Sequence, residues 1–191
     1  MINFNVRWET IYLEGGYIVK VLLNIKGQSQ YSEHVLPKYR KSACGPTTVR
    51  VLLNYICPNE PVAQKDVNEL YNLLGSTKIG LFKWRLIRNL QKLLGAEWKV
   101  SDCTINEALS ELRNGRPVAM KFDKYFTFNF SAKPLFNYHW VPLIGYEIRA
   151  SKLYLIIHDN GGRNRESAVR DVLYEDNREV LRFVKIAPRS F

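Results

Sequence analysis

Sulfur and imidazole are scarce in this chain: three cysteines, two methionines and three histidines in 191 residues. Cys44, Cys57 and Cys103 form an odd set without Cys-x-x-Cys spacing, which argues against a disulfide framework and a thiolate metal site and leaves at least one thiol free. Long apolar runs are missing too. Trp140 to Ile144 and Leu153 to Ile157 fall far short of the roughly 18 to 20 residues that cross a bilayer, so no membrane span is expected. The N-terminus reaches no continuous apolar run before Glu9 and Glu14, so no secretory leader is expected and cytosolic residence is the default reading. Absent as well are Gly-x-x-x-x-Gly-Lys, His-Glu-x-x-His and Gly-x-Ser-x-Gly, which removes support for phosphate-loop nucleotide binding, zincin chemistry and an α/β-hydrolase elbow. No motif calls for a metal or an organic cofactor.

What is present suits one globular unit: 46% apolar and 24% charged residues, with glycine (11) and proline (8) at ordinary levels. The formal net charge of +10 favours acidic partners, yet the basic residues are spread along the chain rather than gathered in a tail, which speaks against nucleic acid.

The pattern divides the chain into three stretches of a single domain. Residues 1–27 hold alternating strand formers around Gly15-Gly16 and predict a β-hairpin. Residues 44–115 read as helical. Val49, Leu52, Leu53 and Ile56 recur at i, i+3, i+4 and i+7 after Pro46 and before Pro58, and further helices are expected at 65–74, 77–94 and 104–114. The last opens with Thr104-x-x-Glu107, a capping box, and closes at Gly115. Residues 116–191 turn to β-branched and aromatic runs at 118–122, 139–148, 153–158 and 180–187, predicting an antiparallel sheet. A helical block followed by a β block implies an α+β fold with a cleft between two lobes.

Cys44 stands just ahead of the first predicted helix in Ser42-Ala43-Cys44-Gly45-Pro46-Thr47-Thr48. Unpaired N–H groups and the positive end of the helix dipole favour thiolate there, although a small buried thiol is the plainer reading of any single cysteine. A thiol nucleophile needs a base, and the histidines are His34, His139 and His158. His139 opens a predicted strand. The next strand ends at His158-Asp159-Asn160-Gly161-Gly162, and after a three-residue turn near Ala150 an antiparallel pairing carries Asp159 back toward His139. Asp-Asn-Gly-Gly is also an ordinary turn sequence. Cys57 and Cys103 lack such surroundings and read as structural.

Cys-Gly-Pro-Thr-Thr at a helix start, Gly115-Arg116-Pro117-Val118 opening a strand, His139-Trp140-Val141 running on to Ile144-Gly145-Tyr146, and a strand ending in Asp159 together resemble the double-glycine, bacteriocin-processing family of papain-like cysteine peptidases and its stand-alone relatives. The resemblance covers residues 28 to 160. It implies a papain-like fold with Cys44 as nucleophile, His139 as general base and then acid, and Asp159 as the orienting carboxylate. It also implies a glutamine about six residues before the cysteine, joining the cysteine N–H in an oxyanion hole; that position is Lys38, and the nearest glutamines are Gln30 and Gln28, with Gln30 preferred.

The expected activity is therefore a thiol hydrolase, a peptidase or amidase acting through an acyl-enzyme on an amide or thioester of a peptide, protein or acyl substrate, acidic ones being among those the net charge suits, with an acyltransferase on the same triad as the alternative. A different class stays open: an inactive papain-like binding module using the helical face of Arg85, Arg88 and Lys92 against an acidic partner.

Overall fold

In the computed structural model, which describes residues 6–13, 16–127 and 134–189, the chain begins with two antiparallel strands, β1 (Val6–Leu13) and β2 (Gly16–Leu23). The expected hairpin is thus present, and of its Gly15-Gly16 turn Gly15 lies outside the described residues. A 3-10 turn at Arg40–Ser42 leads into α1 (Cys44–Ile56). Val49, Leu52, Leu53 and Ile56 are all buried, as their helical spacing predicts, and α1 packs against strand, helix and turn alike.

Helix α2 (Val67–Leu73) opens with an Asp66–Glu69 capping box. Helix α3 (Lys83–Leu94) starts six residues later than expected, because Thr77 and Gly80 exchange backbone hydrogen bonds and close a tight turn in which Gly80 has φ +111°. Few side chains accept that angle, and a Cβ there would lie 2.5 Å from the Tyr138 hydroxyl. Strand β3 (Trp98–Cys103) follows, then α4 (Ile105–Arg113), whose Thr104–Glu107 capping box forms as read from sequence. The remainder is β4 (Val118–Asp123), α5 (Lys124–Thr127), β5 (Tyr138–Arg149), β6 (Lys152–Asp159), β7 (Ala168–Leu173), α6 (Tyr174–Asn177) and β8 (Leu181–Pro188).

One antiparallel sheet joins all eight strands in the order β1-β2-β5-β4-β8-β3, with β6 and β7 continuing from β5. β4 pairs with the first half of β5 and β2 with the second, while β6 takes the other flank. Gly145 makes this crowding possible, since a Cβ there would meet the Val21 carbonyl oxygen at 2.3 Å. Strands β3 and β7 were not expected. Both are edge strands and carry charge, Lys99 and Asp102 in one and Arg170 and Asp171 in the other, which hides the apolar alternation that identifies inner strands.

Alternate residues of the sheet feed two cores. Ala119, Trp140, Val184 and Ile186 pack with α1, α2 and α3. Val118, Met120, Phe122, Val141 and Leu143 pack with Ala108 and Leu112 of α4. The fold is α+β, and the start of α1 meets the first residues of β5 at the margin of the first core.

Candidate active site

Helix α1 begins without a side-chain cap: Ala43 occupies the N-cap, so the first N–H groups are left to whatever approaches them. Cys44 stands at that end on a cleft of about 430 Å³, which His139 and Gln30 also line. Burial pushes the thiol up. The hydrogen bond and charge of His139, with N–H donors from Trp140 and Gly45, outweigh it and bring the thiol below its ordinary value.

His139 is the second residue of β5 and Asp159 the last of β6. These strands join through Ala150 and Ser151, both at positive φ, a two-residue turn rather than the expected three. A register shift between Leu143 and Gly145 adjusts the pairing, and Nε2 of His139 comes to lie 2.9 Å from Oδ1 of Asp159. That leaves Nδ1 for the thiol. Burial pushes the imidazole down, but its hydrogen bonds to Asp159 and Cys44 raise it above the usual value, so thiolate and imidazolium support each other.

Asp159 is fully buried, yet its carboxyl is held well below the usual range. Burial opposes ionisation; His139 and two arginines overcome it. Oδ2 accepts from Arg165 Nε at 2.7 Å and Arg170 Nε at 2.9 Å, and Oδ1 accepts from the Gly161 N–H at 3.0 Å. Arg165 also lies over the Phe136 ring, which packs edge-on against His139. The sequence reading missed both arginines. Arg165 follows the Asp-Asn-Gly-Gly turn, and the Gly162–Arg165 bridge folds it back; Arg170 sits on the unrecognised β7.

Asn160, the residue after Asp159, makes its contacts away from the His139 ring. Its Nδ2 lies 3.1 Å from the Cys44 carbonyl, 2.9 Å from Thr48 Oγ1 and 2.9 Å from the Trp140 carbonyl, which ties the end of β6 to α1 and β5. Its own carbonyl accepts from the Gln30 N–H at 2.9 Å. That bond seats Gln30 beside the cleft, where Nε2 donates to the Arg40 carbonyl at 2.8 Å and Oε1 is buried without a partner among the described residues. Gln28 is not brought there; it accepts from Arg50 Nη1 at 2.9 Å, away from Cys44.

Other sequence candidates fall outside the cleft. His158 packs against Gly27, and His34 is exposed beside Glu33. Burial pushes both Cys57 and Cys103 up to about 12, in keeping with structural thiols. On α3, Arg85 donates to the Gly75 carbonyl and stacks over Phe82 and Trp84, so the basic face is partly engaged within the chain. Among the described residues no cluster of His, Cys, Asp or Glu is arranged to hold a metal, and no helix is long and apolar enough to cross a membrane.

Residues 22–185 match the Peptidase_C39 like family. The chain belongs to that family. At the family level this makes it a relative of cysteine peptidases, and the matched span holds Gln30, Cys44, His139 and Asp159. Among solved structures, a candidate C39-like peptidase from Bacillus anthracis superposes with a TM-score of 0.63 at 18% identity, covering 90% of this chain and 99% of the other. At that identity the likeness speaks to the fold, which is the papain-like α+β arrangement of the C39-like peptidases. No curated protein matches the chain.

Proposed function

We propose that this C39-like chain is a cysteine peptidase or amidase that works through an acyl-enzyme on Cys44. The observation that carries the reading is the placement of His139, which shares the cleft with Cys44 at the uncapped start of α1 and is hydrogen-bonded to Asp159. The thiolate attacks the substrate carbonyl. The oxyanion is met by the Cys44 N–H and by the second amide hydrogen of Gln30, whose first is held by the Arg40 carbonyl. The C–N bond breaks as the His139 imidazolium gives its proton to the leaving amine. His139 then takes a proton from water, which attacks the thioester, releases the acid and restores the thiol–imidazole pair. An amine in place of water turns the same cycle into acyl transfer. Asp159, fixed by Arg165 and Arg170, holds the ring orientation and supports its positive charge.

The test is the pH dependence of Cys44 alkylation by iodoacetamide. The wild type is expected to label readily at neutral pH, with a profile displaced to lower pH than that of a free thiol. His139→Ala is expected to label slowly at neutral pH and to recover only in alkali, above the free-thiol value of about 8.5, because burial then acts on the thiol with less to oppose it. Superimposable profiles would overturn the peptidase reading in favour of an inactive binding module.

A further inference from the structure

The cleft beside Cys44 has a character that its chemistry does not require. Among the described residues no Asp or Glu lines it, whereas Lys41, Lys78 and Arg165 do. Arg165 is engaged with Asp159, but Lys41 and Lys78 are exposed and have no ion-pair partner among the described residues. Asp123 is buried against Lys121, and Asp159 against His139 and the two arginines, so neither offsets the lysines. Low-dielectric walls lined by one sign of charge focus that field into the cleft.

The same rim also carries exposed apolar side chains. Ile79, Tyr125 and Leu135 are 67%, 54% and 49% exposed, and all three line this cleft. Single exposed apolar side chains are ordinary; a group of them around a concave site marks a binding surface. Lys78 and Ile79 are also held firmly. They are the two central residues of the Thr77–Gly80 turn, and the next carbonyl, that of Leu81, accepts from both Tyr138 Oη at 3.0 Å and Trp140 Nε1 at 2.8 Å. Lys41 comes three residues before Cys44 in the 3-10 turn that feeds α1. A cation and an apolar side chain, adjacent on one held turn, thus line the cleft that also holds the thiol, with a second cation three residues before Cys44.

Building on the peptidase reading, we propose that the substrate is a peptide in which an acidic side chain adjoins a bulky apolar one, the acid held by Lys41 and Lys78 and the apolar group by Ile79, Tyr125 and Leu135. Charge complementarity sets the first preference and burial of the exposed rim the second. The overall charge of +10 acts in the same direction at longer range.

The probes are acetylated tripeptide chloromethyl ketones ending in Ala, with Leu-Glu or Glu-Leu ahead of it, against the same compounds with Lys for Glu. Each rate of Cys44 alkylation is divided by the iodoacetamide rate on the same protein. At low ionic strength the Glu probes are expected to react about ten-fold faster than the Lys probes, with the ratio shrinking toward about two-fold near 0.5 M salt, where screening acts within a few ångströms. The Lys41→Glu/Lys78→Glu double variant is expected to invert the preference. Ile79→Ser is expected to slow all Leu-containing probes several-fold while leaving the Glu-to-Lys ratio in place. Rapid iodoacetamide alkylation with equal Glu and Lys rates would overturn this proposal alone. Iodoacetamide alkylation as slow as that of a free thiol would overturn the peptidase reading and the substrate assignment with it.

Discussion

Helix α1 carries a cysteine at each end, and the two behave in opposite ways. Cys44 opens the helix and Cys57 caps it; both belong to the same apolar cluster and both are 4% exposed. Burial alone drives a thiol up, as it does at Cys57, where the charge of Glu60 adds to it and the result is about 12. At Cys44 the same burial is overcome by an imidazolium and by N–H donors aimed at the sulfur. The difference between the ends is the sign of the field. The start of a helix offers hydrogen-bond donors and positive potential, whereas its end offers carbonyls. Helices α2 and α4 satisfy their own starts with capping boxes, and α1 has no side-chain cap at all. Helix α3 also starts without a side-chain cap, and the open start of α1 is the one that lies on the cleft.

The strongest way to break this comparison is to remove each thiol in turn. Cys44→Ala is expected to lower iodoacetamide incorporation near pH 6.5 by at least about 10³-fold, since thiols whose pKa lies far above neutrality are almost wholly protonated there. Cys57→Ala is expected to leave incorporation unchanged, and intact-mass measurement distinguishes the two. A site-specific adduct on Cys57 would reverse the assignment.

A second contrast sets the glutamine seated at the cleft against the one held by Arg50. Gln30→Ala is expected to reduce turnover by about 10²- to 10³-fold, and Gln28→Ala by less than about two-fold, as measured by kcat/KM on any cleaved peptide. Equal effects would remove the amide of Gln30 from the oxyanion site.

The smallest effect sharpens the electrostatic side. Asp159→Ala is expected to destabilise the fold by about 2 kcal/mol at pH 7, because it removes a buried, charge-assisted set of hydrogen bonds from His139, Arg165 and Arg170. The folded carboxyl is depressed, so its contribution is fully present above the unfolded value of about 3.9 and is lost as pH falls toward the folded value. Denaturant midpoints of the two proteins are therefore expected to converge in strong acid. A constant gap down to pH 2 would mean that packing, not charge, sets the cost.

Where the sequence reading succeeded, the signal was local. Thr104 and Glu107 are three residues apart and make their capping box within one turn. The apolar spacing from Val49 to Ile56 states which face of α1 is buried, and Pro58 places its end. The inner strands β4, β5, β6 and β8 show their apolar content directly. Where the reading fell short, the partner was distant. The Thr77–Gly80 turn was absorbed into a helix because nothing in Ser-Thr-Lys-Ile-Gly says that Gly80 must adopt a positive φ beneath Tyr138. Arg170 could not be linked to Asp159 without knowing that β7 exists and that it pairs with β6.

The sequence by itself determined that Cys44 begins an amphipathic helix, that a strand-forming His139 and a strand-ending Asp159 follow in that order, and that a sheet succeeds the helices. These are properties of neighbouring residues, set by periodicity, capping chemistry and turn propensity. Only the tertiary structure decided how those residues meet. His139 and Asp159 reach hydrogen-bonding distance through a two-residue turn and a register shift across β5 and β6. Gln30 rather than Gln28 comes to the cleft because the Asn160 carbonyl accepts its N–H, 130 positions further along the chain. Cys44 differs from Cys57 because a strand, not the helix itself, brings it an imidazole. Register and long-range hydrogen bonds depend on surfaces that exist only once the chain has packed, and no spacing along the sequence encodes them.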